Sequence, residues 1–198
     1  MALFYKEIFS AIAIAITFIA FIPYIRSIHQ GKTKPHAFSW IIWASVTLIV
    51  FLATLTDKGG AGAWPIGVSG LITLYVAFLA YNKKSDRKVS NIDWIFFTLA
   101  MLSIPLWYFT SNPLWSVVIL TTIDLLGFAP TYRKAYSYPN EEQLTFFNLI
   151  ASRNLIAIVA LENYSLITVL FPAATALACI LFVTMVLIRR IKINKDRK

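Results

Sequence analysis

Two charged side chains stand inside long apolar segments of this chain, and they are its most informative chemical groups. Asp124 and Arg153 each lie about ten residues, or about 15 Å of helix, from the nearer end of their segments. A charge at that depth in a bilayer costs several kcal/mol unless it faces a cavity or a partner. Three roles stay open: a structural ion pair, bidentate binding of a carboxylate or phosphate by Arg153, and proton transfer at Asp124.

Nearby polar and aromatic residues extend this candidate binding site. Asn148 and Asn154 share a segment with Arg153 but lie on different helical faces, so we expect only one of them, Asn154, to line a cavity. Trp40 and Trp43 come early in another segment and are suited to stacking on a substrate ring or closing an entrance. An interfacial aromatic belt explains Trp40 equally well.

The elements that position these residues follow from composition. The chain has 198 residues, 59% hydrophobic and 14% charged, whereas soluble domains have about 45–50% apolar and about 25% charged residues. It is therefore predicted to be an all-α membrane protein. Seven apolar segments, each long enough to cross a bilayer, are separated by Gly, Pro, Asn or charges. They span about 8–28, 37–56, 63–81, 94–111, 114–136, 144–161 and 164–188.

Basic residues predict the orientation. The formal net charge is +9, and most Lys and Arg lie on the side that holds the loops at 28–37, 81–94 and 136–144 and the C-terminus, either in these stretches or, like Arg26, Arg133 and Lys134, in the adjoining helix ends. The positive-inside rule then places the N-terminus outside and the C-terminus in the cytoplasm. A dedicated lipid or nucleic-acid site in the basic tail is the less favoured interpretation, so we expect no nucleic-acid partner.

An internal repeat accounts for the odd number of helices. One constant shift in residue number, which we call the repeat offset, aligns Pro23 with Pro130, Arg26 with Arg133 and Pro65 with Pro172. A three-helix unit duplicated in tandem is parallel to its copy only when one helix separates them. We therefore expect a first repeat at 1–88, a linker helix at 89–112 and a second repeat at 113–198. This 3+1+3 arrangement would place a substrate cavity between the halves near the midplane.

Four short stretches carry a family resemblance. Pro23-Tyr24-Ile25-Arg26, Gly31-Lys32-Thr33-Lys34 and Ser39-Trp40, with Pro130-Thr131-Tyr132-Arg133 in the second copy, resemble the motif of the PQ-loop superfamily. That superfamily includes the SWEET and SemiSWEET sugar transporters, cystinosin-like exporters and the KDEL receptor. The resemblance implies the seven-helix architecture and transport by alternating access, with hinges at Pro23 and Pro130. A static proline kink is the alternative at both positions.

The sequence lacks the residues that a retinal protein, an ATP-driven pump, a metalloprotein or an enzyme would need. The segment at 164–188 contains no lysine for a retinal Schiff base, and no Gly-rich loop followed by Lys-Ser or Lys-Thr is present for ATP. His29 and His36 have no Cys or acidic neighbours, and Cys179 has no partner, so no metal and no cofactor is expected. Asp124 is the only acid in a span, which argues against an enzyme.

The sequence thus predicts a transporter that moves a small polar metabolite by alternating access. A sugar, or a carboxylate-bearing or otherwise anionic solute, is the expected substrate, with proton coupling as an open alternative. A ligand-sensing or sorting receptor on the same scaffold is the leading rival, and an assembly protein is the third interpretation. The expected partners are the substrate and the lipid bilayer of a bacterial-type inner membrane. Homo-oligomerisation stays open.

Overall fold

Seven long helices make up the fold, which is given by a computed structural model. The structure describes residues 4–31, 37–82, 91–137, 139–141 and 144–196, and every regular element in those ranges is helical. The long helices are α1 Phe4–His29, α2 Ala37–Thr56, α3 Trp64–Asn82, α4 Asn91–Thr110, α5 Leu114–Ser137, α6 Leu144–Val159 and α7 Leu166–Asp196. They occupy the seven predicted segments. The main difference is α7, which continues into the basic tail.

Four helices are long and apolar enough to cross a membrane: α1, α2, α3 with the turn before it, and α7. The other three, α4 to α6, contain shorter apolar stretches. Apolar side chains also cover much of the outer surface, as Phe78, Leu99 and Leu181 illustrate. A helix with apolar residues all round is typical of a membrane span or a large core. The described part of the chain is therefore all-helical, with the long apolar helices and apolar outer surface that are typical of a membrane protein.

Local chemistry defines several helix ends. Gly31 follows α1 with a φ of +71°, and its N–H donates to the carbonyl oxygen of Ile28 over 3.0 Å, which is a glycine cap. The side chain of Asn112 accepts the N–H of Leu114 over 2.9 Å at the start of α5. Ser165 accepts the N–H of Ile167 over 3.1 Å before α7. Both are N-caps, which satisfy donors that a helix leaves free.

The helices pack in the same order in both halves of the chain. Helix α3 contacts both α1 and α2, and α7 likewise contacts both α5 and α6. Between the halves, α1 packs on α6 and α2 packs on α5, while α3 meets α6 and α2 meets α7. The same contacts result when α1, α2 and α3 are replaced by α5, α6 and α7 respectively, and the reverse. For example, the contact of α3 with α6 then corresponds to that of α7 with α2. Helix α4 packs on α5 and α2.

One pair of equivalent hydrogen bonds follows the repeat offset. Thr47 donates to the carbonyl oxygen of Trp43 over 2.8 Å, and Asn154 donates through Nδ2 to the carbonyl oxygen of Ile150 over 2.9 Å. Both are bonds from a side chain to the carbonyl four residues earlier in the same helix. The repeat offset relates positions 43 and 47 to positions 150 and 154, so the two bonds lie at equivalent places in α2 and α6.

Candidate functional site

Arg153 is buried in α6 with few partners. Its side chain is 3% exposed, and its guanidinium donates through Nη1 to the carbonyl oxygen of Pro65 in α3 over 3.3 Å. Among the described residues, its Nε–H has no hydrogen-bond partner. A guanidinium carries five donors, and an isolated buried charge is costly, so this group is poorly satisfied by its surroundings. The contact to Pro65 also joins the second half of the chain to the first.

Asp124 lies in α5 and is 9% exposed. The Thr175 hydroxyl of α7 lies 3.3 Å from the Asp124 Oδ2 and 2.9 Å from the carbonyl oxygen of Phe171. That hydroxyl has a single hydrogen for these two acceptors. The Asp124 carboxyl therefore has only one hydrogen-bond partner among the described residues, and that partner is shared.

The two buried charges do not form a direct ion pair. Among the side chains that the structure describes, Arg153 is bound by Pro65 and Asp124 by Thr175, and no salt bridge joins the two. They nevertheless lie within electrostatic range of each other and of the Cys179 thiol, which is buried in α7. The acid, the thiol and the guanidinium thus lie on three different helices of the second half.

Two further buried polar atoms near these helices lack partners. Asn154 is fully buried and donates through Nδ2 to the Ile150 carbonyl of α6, but its Oδ1 accepts no hydrogen bond from any described residue. The Thr121 hydroxyl in α5 is likewise buried and unpartnered. Native proteins satisfy most such atoms, so each unsatisfied atom requires an explanation, such as a ligand or an ordered water. Asn148 is exposed, so the structure separates the two candidate asparagines.

The second half alone carries this polar cluster. At the repeat offset, the first half has less polar or uncharged residues at the equivalent positions. The pairs are Thr17 and Asp124, Val46 and Arg153, Thr47 and Asn154, Ile14 and Thr121, Val68 and Thr175, and Ile72 and Cys179. The Thr17 hydroxyl has a hydrogen-bond partner within its own helix, because it donates to the carbonyl oxygen of Ala13 over 2.8 Å. The scaffold therefore folds without the charges in one half and carries them in the other.

The aromatic candidates join a continuous set of rings that crosses between the halves. Trp40 is the central residue, with its ring centroid 5.5 Å from Trp43 and 6.4 Å from Phe21. Phe21 of α1 in turn lies 5.7 Å from Phe146 of α6. The contacts continue through Phe147. Both tryptophans are half-buried at the interface between the halves. Trp40 packs on the cluster of Phe21 and Ile150, and the Trp43 indole lies against Gly127 of α5.

The two hinge candidates, Pro23 and Pro130, lie inside helices that continue on both sides of the proline. Pro23 is exposed, and α1 is a single helix from Phe4 to His29. Pro130 lies in α5 at a position whose side chain is outside the described ones. The motif residues 32–34, His36 and most of the basic loop at 81–94 are also outside the described residues.

A polar network at one end of the bundle was not predicted. The loop between α2 and α3 meets the loop between α6 and α7, where the Glu162 N–H donates to the Gly59 carbonyl and the Ala61 N–H donates to Glu162 Oε1, each over 3.1 Å. Asn163 donates to the Asp57 carbonyl over 2.8 Å. We call the loop residues 57–61 and 161–165 the outer clasp, because they lie at an outer end of the helix bundle.

Two more contacts join α1 to the outer clasp. Ser10 donates to the carbonyl oxygen of Ala61 over 2.7 Å, and the Lys6 ammonium donates to that of Leu161. Equivalent loops of two repeats must meet at one end of the bundle, so the repeat itself was the signal that could have indicated the outer clasp.

Two of the hollows among the described residues can be compared with the charged cluster, and Arg153 and Asp124 line neither. One, of about 480 Å³, opens beside the outer clasp and is lined by Glu7, Trp64 and Glu162 among others. The other, of about 310 Å³, is an apolar groove between α5 and α7. In the part of the chain that is described, no three His, Cys, Asp or Glu side chains come together as metal ligands would. No family model, curated protein or solved structure matches the chain.

Proposed function

We propose that this protein is a membrane transporter that moves a small polar solute by alternating access, with a carboxylate or other anionic group on the solute. The observation that carries the proposal is Arg153, a buried guanidinium with no ion pair among the described residues and a free Nε–H. Intramembrane charges that lack a fixed partner are typical of substrate or ion sites. A substrate anion would supply the acceptor that the protein does not.

A purely structural role for the two charges fits these contacts less well. Breaking a buried ion pair costs about 3–5 kcal/mol, so a structural pair is expected to be made directly. Here Arg153 and Asp124 instead bind separate helices through Pro65 and Thr175. The free acceptor on Asn154 and the hydroxyl of Thr121 add hydrogen-bonding capacity on the same two helices, α5 and α6. Together these groups suit a solute that has both an anionic and a polar part.

The scaffold part of the proposal is a 3+1+3 arrangement in which α4 links two parallel three-helix bundles. It is supported by the packing order, which stays the same when the first three helices are exchanged with the last three. It is also supported by the repeat offset and by the resemblance to the PQ-loop superfamily. In this arrangement all seven helices cross the membrane, and the two bundles rock against each other around the site.

The two ends of the bundle suit alternating access. The outer clasp fastens the halves through backbone and side-chain hydrogen bonds at one end. Aromatic contacts between Phe21, Trp40 and Phe146 fasten them elsewhere on α1, α2 and α6. Solute would reach Arg153 after one set of contacts opens while the other stays closed. We further propose a bacterial-type inner membrane, with the outer clasp outside and the C-terminus in the cytoplasm.

Uptake by proteoliposomes tests this function. Purified protein is reconstituted, the vesicles are loaded with one unlabelled solute from a panel of carboxylates, amino acids and sugars, and exchange for the labelled solute is measured. Arg153→Gln should abolish exchange of an anionic solute, whereas Arg26→Gln, at an exposed position of α1, should leave it intact. Equal exchange by Arg153→Gln and the unaltered protein would contradict the assigned site.

The same preparation separates the rival functions. A ligand-sensing or sorting receptor would bind a solute, detected by a raised unfolding midpoint, without exchanging it across the vesicle membrane. An assembly protein would bind nothing from the panel. Binding without flux would therefore replace the transporter proposal with the receptor. Absence of binding and of flux would rule out the transporter and the receptor alike.

A further inference from the structure

The Asp124 carboxyl has an arrangement that accepts either of its charge states. Thr175 can donate its one hydrogen to Asp124 Oδ2 over 3.3 Å when the carboxyl is ionised. When the carboxyl is protonated, Thr175 can donate instead to the Phe171 carbonyl over 2.9 Å and accept a hydrogen bond from Asp124. Thr175 can therefore hydrogen-bond to Asp124 in either charge state.

Electroneutrality links this carboxyl to Arg153. Without a bound anion, an ionised Asp124 lies within electrostatic range of Arg153 and supplies negative charge to it, although the two make no direct salt bridge among the described residues. A bound anion would supply that negative charge itself. Two anionic groups beside one guanidinium in a region of low dielectric would leave a net negative charge, which is costly. Protonation of Asp124 removes that excess.

Few other groups can take the proton. Arg153 on α6 and the buried Cys179 thiol on α7 are the charged or titratable groups within electrostatic range of Asp124. Among the described side chains, α2 has no titratable group, and the only one on α4, Tyr108, is exposed. The basic residues of α7 begin at Arg189, which lies at the other end of the helix and binds the carbonyl oxygen of Tyr136.

We infer that this site binds a small carboxylate at Arg153 together with one proton at Asp124, so that anion and proton are carried as a neutral pair. The proton comes from water and binds the Asp124 carboxylate as the anion reaches the guanidinium; release reverses both steps. The buried cluster has no net charge in either state, because Arg153 balances Asp124 in one and the anion in the other. This inference rests on the proposed transport function and adds its coupling ion.

Proton uptake during binding tests the inference. Acetate, lactate and pyruvate are titrated into detergent-purified protein in weakly buffered solution at acid, neutral and alkaline pH, and both heat and proton uptake are recorded. Where Asp124 is ionised before binding, about one proton should be taken up per anion, and affinity should fall about tenfold per pH unit as the pH rises. The sign follows because a higher pH favours the ionised carboxyl, which competes with the anion.

Matched variants separate Asp124 from other acids. Asp124→Asn should bind the anion with no proton uptake and with an affinity that does not change with pH. Glu7→Gln removes an exposed carboxylate on α1 and should behave as the unaltered protein does. Binding without proton uptake, or the same pH dependence in Asp124→Asn, would overturn the proton inference and leave the transport function standing.

An infrared measurement covers the case in which Asp124→Asn does not fold. The carbonyl stretch of a protonated carboxylic acid should appear in the unaltered protein on addition of lactate at neutral to alkaline pH, but not on addition of glucose. Binding of lactate without that band would overturn the inference. Binding and exchange of glucose but of none of the carboxylates would overturn this inference and the anionic solute of the proposed function, while leaving transport itself standing. Absence of any binding or flux would overturn both proposals.

Discussion

The indole nitrogen of Trp43 in α2 lies 2.8 Å from the point where a β-carbon on Gly127 of α5 would stand. The glycine leaves the space that the indole fills between the two halves of the chain. At the repeat offset this pair becomes Ile150 on α6 and Ala20 on α1, which belong to one buried cluster. A large residue faces a small one in both places, so the two contacts between the halves are built alike.

Gly127→Ala should destabilise the protein by overpacking this contact. The added methyl group would force the indole to move, and such insertions cost about 1–3 kcal/mol. We expect a lower unfolding midpoint in detergent. Adding Trp43→Phe to Gly127→Ala should recover part of the loss, because the smaller ring vacates the space. If the double variant is no more stable than Gly127→Ala alone, the contact is not the cause.

Arg153→Val should separate stability from function. Val46 occupies the equivalent position in the first half and is fully buried there, so the scaffold accommodates valine. Replacement of a buried ion pair by apolar residues is often neutral or stabilising by about 1–4 kcal/mol, and here Asp124 can take up a proton once the guanidinium is removed. We expect an unfolding midpoint that is unchanged or raised, together with loss of anion exchange. A large fall in the midpoint would instead indicate that Arg153 is structural.

Asn154→Thr should test the free acceptor on Asn154. Threonine stands at the equivalent position 47 and makes the same bond to the carbonyl four residues earlier, so folding should be preserved. The variant lacks the unpartnered Oδ1, and the affinity for solute should fall about tenfold, which is typical for one lost hydrogen bond in a buried site. Asn148→Thr is the control because Asn148 is exposed. Equal losses in both variants would contradict the assignment.

Gly60→Ala should open the outer clasp. Gly60 has a φ of +59°, and a β-carbon there would lie 2.0 Å from Cδ of Glu162. The strain should displace Glu162 and expose Ser10, which bonds to Ala61 in the closed loop. With Ser10→Cys in a Cys179→Ala background, Gly60→Ala should raise the rate of labelling by a membrane-impermeant thiol reagent. Glu7→Gln, which borders the same hollow, should not.

The proposed orientation predicts the side of each loop. A C-terminal fluorescent protein should be fluorescent, and alkaline phosphatase at the same place should be inactive, because only the phosphatase needs export. A phosphatase fused after Lys58 should be active instead. The opposite pattern would reverse the orientation while leaving the helix packing as described.

The seven helices were predictable because their signal is local. Glycine, asparagine and charged residues mark the ends of the apolar runs, so segments such as 37–56 coincide with helix bounds. The repeat offset was also readable, since paired prolines and arginines recur in one register. Burial of Asp124 and Arg153 follows from their position within apolar runs.

Tertiary structure alone decided which partners these charges have. Whether Arg153 binds Asp124 or the carbonyl oxygen of Pro65 depends on how α6 is rotated against α3 and α5, and composition does not determine that rotation. The outer clasp has the same origin, because Gly59 and Glu162 are distant in sequence and meet only when the two halves pack. Hydrophobic periodicity defines helices and their buried faces, but hydrogen bonds between helices require distances of about 3 Å that only the packed fold sets.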